Sequence, residues 1–233
     1  MLLEAQELSF GYGSGPDIVS GVSLRLESGQ RLGLSADSGL GKTTLCQLLS
    51  GHQKPRSGRV LLDGKPLQDW GAYCPVQLLW QHPEQAVNPR LAMKYVLEEG
   101  DQIAERVICG LGIRREWMSR YPAELSGGEL QRFCIARALG ERTRFLLADE
   151  MTAMLDLVTQ NQIWSFLLEE TQRRQIGLLV VSHSQPLLQK LCGDIVSLCG
   201  KPVFAAAGEG DKTGESTENG ESGKTAPKPE IQK

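Results

Sequence analysis

The sequence predicts an α/β fold with a mostly parallel sheet and a phosphate-binding loop at one strand end. Three observations predict it. First, the short apolar runs Leu32–Leu34, Phe145–Ala148 and Leu178–Val181 have the pattern of strands buried on both faces. Second, a glycine-bearing loop joins the first of these to a helix that opens near Lys42, the strand–loop–helix layout of a phosphate cradle. Third, from about Pro83 to Leu139 the Glu, Arg and Leu residues recur at three- and four-residue spacings, so a helical subdomain is inserted into the strand–helix alternation.

In chain order, residues 2–10 alternate weakly and lead to Phe10-Gly11-Tyr12-Gly13. Ile18–Leu26 alternates apolar and polar residues, as a half-buried strand does. The turn Glu27-Ser28-Gly29-Gln30 enters the cradle strand, and the helix after Lys42 ends near Gly51. Ser57-Gly58-Arg59 opens a strand over Val60–Leu62, closed by a turn at Asp63-Gly64, and Cys74–Leu79 reads as a buried strand. After the helical block and Phe145–Ala148, Thr159–Arg174 is an amphipathic helix with Ile163, Phe166 and Leu167 on one face. Pro186–Leu191 starts a helix, and Ile195–Leu198 with Val203–Phe204 predicts a last hairpin. Residues 208–233 are Gly, Glu, Lys, Ser and Thr without apolar periodicity, a disordered polar tail. Its six acids and four lysines carry -2 of the formal net charge of -3, so the folded part, residues 1–207, is close to neutral.

A near-neutral chain with pI about 5.7 lacks the basic face of a nucleic-acid binder, and no nucleic acid is expected as partner. Six cysteines, Cys46, Cys74, Cys109, Cys134, Cys192 and Cys199, form no C-x-x-C pair and lie in or beside apolar runs, so buried free thiols are expected. The start, M-L-L-E-A-Q-E-L, carries an early acid and no cationic region before an apolar core, so no signal peptide is expected. No run approaches the ~18 apolar residues that cross a bilayer. A role at a membrane would require another chain to span it.

Three constellations carry chemistry. In the cradle, Ala36-Asp37-Ser38-Gly39-Leu40-Gly41-Lys42-Thr43-Thr44 follows the pattern G-x-x-x-x-G-K-[ST], with Ala36 in place of its first glycine. Gly39 and Gly41 let backbone N–H groups approach a polyphosphate, Lys42 reaches its β- and γ-phosphates, and Thr43 offers a hydroxyl to Mg2+. The second is Asp149-Glu150 at the end of the apolar run Phe145–Ala148, which puts two carboxylates at the carboxyl edge of a parallel sheet. There Asp149 can hold Mg2+ through water and Glu150 can polarise the water that attacks the γ-phosphate. Two solvated acids at a strand end would look the same in isolation. The third is Leu125-Ser126-Gly127-Gly128-Glu129-Leu130-Gln131-Arg132, a Ser-Gly-Gly helix start that makes a second anion-binding N-terminus.

This octet resembles the signature sequence of the ATP-binding-cassette ATPases, and the resemblance covers residues 2 to about 205. It implies a P-loop NTPase core with a mostly parallel sheet, an N-terminal antiparallel β subdomain and an inserted helical subdomain, and it implies ATP and Mg2+ as cofactors. By the same resemblance, Tyr12 stacks on adenine, and Gln81 links Mg2+ and the attacking water to the helical subdomain. Asp156, in Ala153-Met154-Leu155-Asp156, belongs to a loop that touches the partner subunit, and His183 touches the γ-phosphate. Leu125 to Glu129 would cover the ATP of a partner. His52 and His82 match nothing and read as surface residues. Two positions depart from the family, Ala36 and Met151, the latter in place of a proline after Asp-Glu.

The resemblance further implies a subunit at the cytoplasmic face of the plasma (inner) membrane, held there peripherally by two membrane-spanning permease subunits, with a solute-binding protein acting indirectly. The two departures fit a heterodimer with a second ABC ATPase subunit. Gln81-His82-Pro83 through Asn88-Pro89-Arg90, with Arg120-Tyr121-Pro122-Ala123-Glu124, resemble the peptide/nickel importer group, and the short C-terminal part leans toward nickel or metal chelates over peptides. A soluble ATPase of the same fold in DNA repair or translation, and an exporter ATPase, are the alternative readings. A single cassette with a short insert speaks against the first, whereas the shared motifs leave the second open.

Overall fold

The computed structural model describes residues 1–35, 39–71 and 73–198. Two sheets share the chain. The antiparallel sheet has the order β2-β1-β4-β5, from β1 (Leu2–Phe10), β2 (Val19–Glu27), β4 (Ser57–Leu62) and β5 (Lys65–Pro66). The parallel sheet has the order β6-β7-β8-β3-β9, from β3 (Arg31–Ser35), β6 (Val76–Leu79), β7 (Phe145–Asp149), β8 (Gly177–Val181) and β9 (Asp194–Ser197).

Helix α1 (Lys42–Leu49) packs between the two sheets. Leu45, Leu48 and Leu49 join Leu3, Leu24 and Leu62 of the antiparallel sheet and Leu32, Leu147 and Leu179 of the parallel one in a single core. A second core covers the other face of the parallel sheet. It holds Leu146 and Leu178, α2 (Met93–Glu98), α3 (Glu105–Gly110), α4 (Gly127–Ala138), α5 (Leu157–Arg174) and α6 (Gln185–Leu191). Alternation explains why β7 and β8 are apolar throughout. Phe145 and Leu147 enter one core while Leu146 and Ala148 enter the other, and all five residues of each strand are buried.

The predicted cradle strand, the helix after it and the strand at 145–148 all occur with boundaries shifted by a residue or two. Three expectations change. The strand expected over Cys74–Leu79 starts only at Val76, because Pro75 cannot donate to a ladder, while its carbonyl accepts from Arg144 and Phe145. The 83–139 block holds three helices and three 3-10 turns; Pro83 and Pro122 open two of those turns, and Gly112 lies at positive φ. The thiols are not uniformly buried: Cys46 and Cys134 are, Cys74 and Cys192 are half-buried, and Cys109 is exposed at the end of α3. In the predicted hairpin, the first arm is β9, a parallel edge strand beside β3; Val203, Phe204, Cys199 and the tail lie outside the described residues.

α5 shows a residue that its apolar face did not announce. Glu170 is fully buried, and Arg106 of α3, Arg173 and Arg174 surround its carboxylate. Burial pushes its carboxyl up, but the Arg173 hydrogen bond and the three guanidinium charges outweigh that and hold it below its ordinary range. Arg174 also donates to the carbonyls of Leu139 and Gly140. The network ties the helical insert to the core.

Candidate active site

The site lies along the carboxyl edge of the parallel sheet. In spatial order β3, β8, β7, β6, the strands are followed by the cradle, His183, Asp149-Glu150 and Gln81. Adjacent strands in register bring residues far apart in sequence to one edge. Leu79 faces Ala148, so the segments carrying Gln81 and Glu150 leave the sheet at the same edge.

Helix α1 is prepared for an anion. Gly41 caps it in the left-handed conformation with no side-chain cap, and no acid lies in its first turn. A Cβ on Gly41 would lie 2.8 Å from Ile18 Cγ2, so only glycine fits both the φ of 81° and the space. Gly39 also has positive φ, and Leu40 is exposed beside it. Ala36, Asp37 and Ser38 lie outside the described residues.

Lys42 is buried at 8% exposure, and its Nζ lies 3.5 Å from Glu150 Oε1. The same oxygen lies 3.1 Å from His183 Nδ1. Glu150 has φ of 46°, an unfavourable conformation for a residue with a side chain, costing roughly 1 kcal/mol. Backbone bonds hold it there: its N–H donates to Val181 and its carbonyl accepts from Ala153. Asp149 is 3% exposed. Burial pushes its carboxyl above the ordinary range and the Glu150 charge adds to this, while the Thr43 hydrogen bond and Lys42 pull the other way. Met151 is buried at 2% in the helical-side core, which explains an apolar residue after the two acids. A cleft of about 530 Å³ opens beside Glu150 and His183, with Thr152, Trp164 and Lys190 in its walls.

Thr43 and Asp149 fit Mg2+. Both present hard oxygen donors, and the described residues hold no group of three or more His, Cys, Asp or Glu that would cage a metal without a substrate.

Tyr12 lies in the β1–β2 loop, 52% exposed, edge-on to Phe10, with its hydroxyl 3.4 Å from both Thr44 Oγ1 and Gln47 Oε1 of α1. Ser126, Gly127 and Glu129 open α4, and their N-terminus is already capped. Ser126 Oγ accepts from the Glu129 N–H, and the Glu129 carboxylate accepts from the Ser126 N–H. Gly128 abuts Leu155 and Thr159, and Leu125 is half-buried against the helical core. Asp156 caps α5 by accepting from Val158 and Thr159. A cavity of about 230 Å³ is shared by Gln81, Gly127, Met154 and Leu155, so the segments after β6 and β7 meet the start of α4 there. Gln131 also lines it. It is 1% exposed, and neither amide atom has a hydrogen-bond partner among the described residues. His82 pairs with Glu84. His52 is exposed, with its ring edge-on to Trp80 and bonded to Ser50 Oγ. His82 also lines the cavity it shares with Gln81, whereas His52 lies outside it.

Fold and site together define an ATP-binding cassette. A family profile described as ABC transporter matches residues 19–153, and the chain belongs to that family. It is 29% identical over 245 residues to the nickel import ATP-binding protein NikE of Shigella dysenteriae, covering 94% of this chain and 91% of that protein. It is 33% identical over 204 residues to the uncharacterized ABC transporter ATP-binding protein YejF of Escherichia coli, covering 78% of this chain and 38% of that protein. A probable peptide ABC transporter ATP-binding protein, y4tS of Sinorhizobium fredii, is 32% identical over 193 residues, covering 74% and 54%. The chain thus spans about two fifths and about half the length of these last two. Among solved structures, an ATP binding subunit of an ABC transporter superposes with a TM-score of 0.73 at 22% identity, covering 84% of this chain and 85% of that one. A cassette solved as a dimer in a post-hydrolysis state bound to ADP and Pi gives 0.71 at 21% identity, covering 84% and 93%. These likenesses establish the fold. No helix among the described residues is long and apolar enough to cross a membrane.

Proposed function

We propose that this chain binds and hydrolyses Mg-ATP and energises an importer for nickel, metal chelates or peptides. The observation that carries the ATP reading is the meeting of Lys42, Glu150 and His183 at one point on the sheet edge, beside Asp149 and Thr43. Lys42 leaves the Glu150 carboxylate and pairs with the β- and γ-phosphates. Glu150, released, accepts a proton from a water whose oxygen bonds to the γ-phosphorus as the bond to the ADP oxygen breaks. His183 orients the γ-phosphate and Gln81 the water. Thr43 and Asp149 would hold Mg2+, which would offset the negative charge of the phosphates. The N–H groups of Gly39 and Gly41 complete the cradle, and Tyr12 supports the adenine.

The α4 start, with Ser126 and Gly127 exposed, and the exposed apolar side chains Met154, Leu157 and Val158 support assembly with a second ATPase subunit across the phosphates. That subunit is expected to differ from this one. Permease partners at the inner membrane and the nickel or peptide cargo rest on the NikE and y4tS likenesses. The test is phosphate release by the purified chain, with Lys42→Ala as the variant that must lose ATP binding. Wild-type ATP affinity in Lys42→Ala by calorimetry would overturn the cradle assignment. For the cargo, uptake of radioactive nickel and of labelled dipeptide is compared in cells with and without the intact chain.

A further inference from the structure

We propose that Arg56 is the positioning residue that presets the Tyr12 loop for the nucleobase, an inference resting on the ATP reading above. Residues 11–18 join β1 to β2, and the loop is pinched at its base by the Ile18 N–H donating to the Phe10 carbonyl. Within it, Gly15 donates to the Tyr12 carbonyl. Three other carbonyls of the loop, those of Gly11, Gly13 and Gly15, accept from a single guanidinium. Arg56 Nη2 donates to the carbonyls of Gly11 at 3.1 Å, Gly13 at 3.0 Å and Gly15 at 3.3 Å, and Nη1 donates to Gly15 and to the Asp17 carboxylate. Arg56 belongs to the α1–β4 connection, and its own N–H donates to the Ser9 carbonyl.

Three carbonyl oxygens and a carboxylate facing one point repel one another unless a cation with several donors sits between them. A planar guanidinium supplies that fork, whereas an ammonium supplies charge without the fixed geometry. The fit is close. A Cβ on Gly11 would come to 2.4 Å from the Pro16 carbonyl oxygen and 3.2 Å from Arg56 Nη2. The loop end also touches the cradle, since Ile18 packs against Gly41. Arg56 therefore fixes the height of Tyr12 above α1, where its hydroxyl reaches Thr44 and Gln47. The base shelf stands ready before nucleotide arrives, so its ordering entropy is not subtracted from binding.

The test uses the full chain and calorimetry with two probes, ATP and inorganic tripolyphosphate. Arg56→Ala is expected to weaken ATP about tenfold and leave tripolyphosphate within twofold, because the cradle stays intact. In turnover assays KM for ATP rises while kcat at saturation holds. Arg56→Lys recovers only part of the affinity. The double variant Tyr12→Ala/Arg56→Ala binds ATP no more weakly than Tyr12→Ala alone, since Arg56 acts through Tyr12. Unchanged ATP affinity in Arg56→Ala, additive losses in the double variant, or equal losses for both probes would overturn the inference. If wild type bound neither probe, the ATP reading itself would fall instead.

Discussion

Glu150→Gln should tighten ATP binding while nearly stopping hydrolysis. The side chain keeps its size and one acceptor oxygen but loses the charge that faces Lys42 at 3.5 Å, with the two side chains only 14% and 9% exposed. Coulomb attraction at that distance, with an effective dielectric of 20, is about 5 kcal/mol. Most of this is offset by the cost of taking both charges out of water, leaving a net of roughly 1–1.5 kcal/mol for the pair. Incoming ATP must break the pair to reach Lys42, so removing it should lower the dissociation constant about five- to tenfold. The loss of the base should slow phosphate release by about 10²–10⁴. Calorimetry with Mg-ATP and a coupled phosphate assay measure the two arms. Affinity equal to or weaker than wild type would refute the competition between Glu150 and phosphate for Lys42. A rate within tenfold would refute Glu150 as the base.

Three further outcomes follow from buried polar groups. Asp149 has its carboxyl raised by burial, so its favourable contribution is present below its unfolded pKa and is lost as pH rises through the folded one; Asp149→Asn should therefore raise Tm at pH 8 by about 2–4 °C, with the gap closing toward pH 4 and Mg-ATP hydrolysis falling. A gap that widened in acid would contradict this. Glu170 is lowered, so its contribution is present above its unfolded pKa and fades as pH falls through the folded one; Glu170→Gln should cost about 1–3 kcal/mol in urea melts at pH 7 and less in acid. An equal cost at every pH would mean that packing, and not charge, is lost. Gln131→Leu should be neutral or stabilise by up to about 2 kcal/mol, because it removes a buried amide without a partner among the described residues; destabilisation beyond 1 kcal/mol would show that the amide is engaged.

Much of the architecture was legible because burial on both faces leaves few residue choices. Phe145–Ala148 and Leu178–Val181 have to be apolar throughout, and such runs stand out. The cradle was legible because glycine at positive φ, a lysine and a threonine meet there in one short stretch. The helical insert was legible from Glu, Arg and Leu at helical spacing, whereas the turns between its helices, set by proline and glycine, left that spacing unbroken. Pairings between distant segments left no local mark. Lys42 with Glu150, Glu170 among arginines from two helices, and Arg56 under the Tyr12 loop are each ordinary residues in the sequence. The Ser126 helix start reads in sequence as an anion-binding N-terminus, while the reciprocal bonds between Ser126 and Glu129 show only in the structure.

The pairing of Lys42 with Glu150 also sets a threshold for which anions the cradle admits. Orthophosphate would have to displace a carboxylate already in place, trading one contact with the lysine for another at little net gain. A triphosphate engages the loop amides, the lysine and the hydroxyl of Thr43 together, so its many simultaneous contacts outweigh the one that is lost. The cradle should accordingly stay indifferent to the orthophosphate that surrounds it in a cell and that its own reaction releases, so released orthophosphate should not hold the next ATP out.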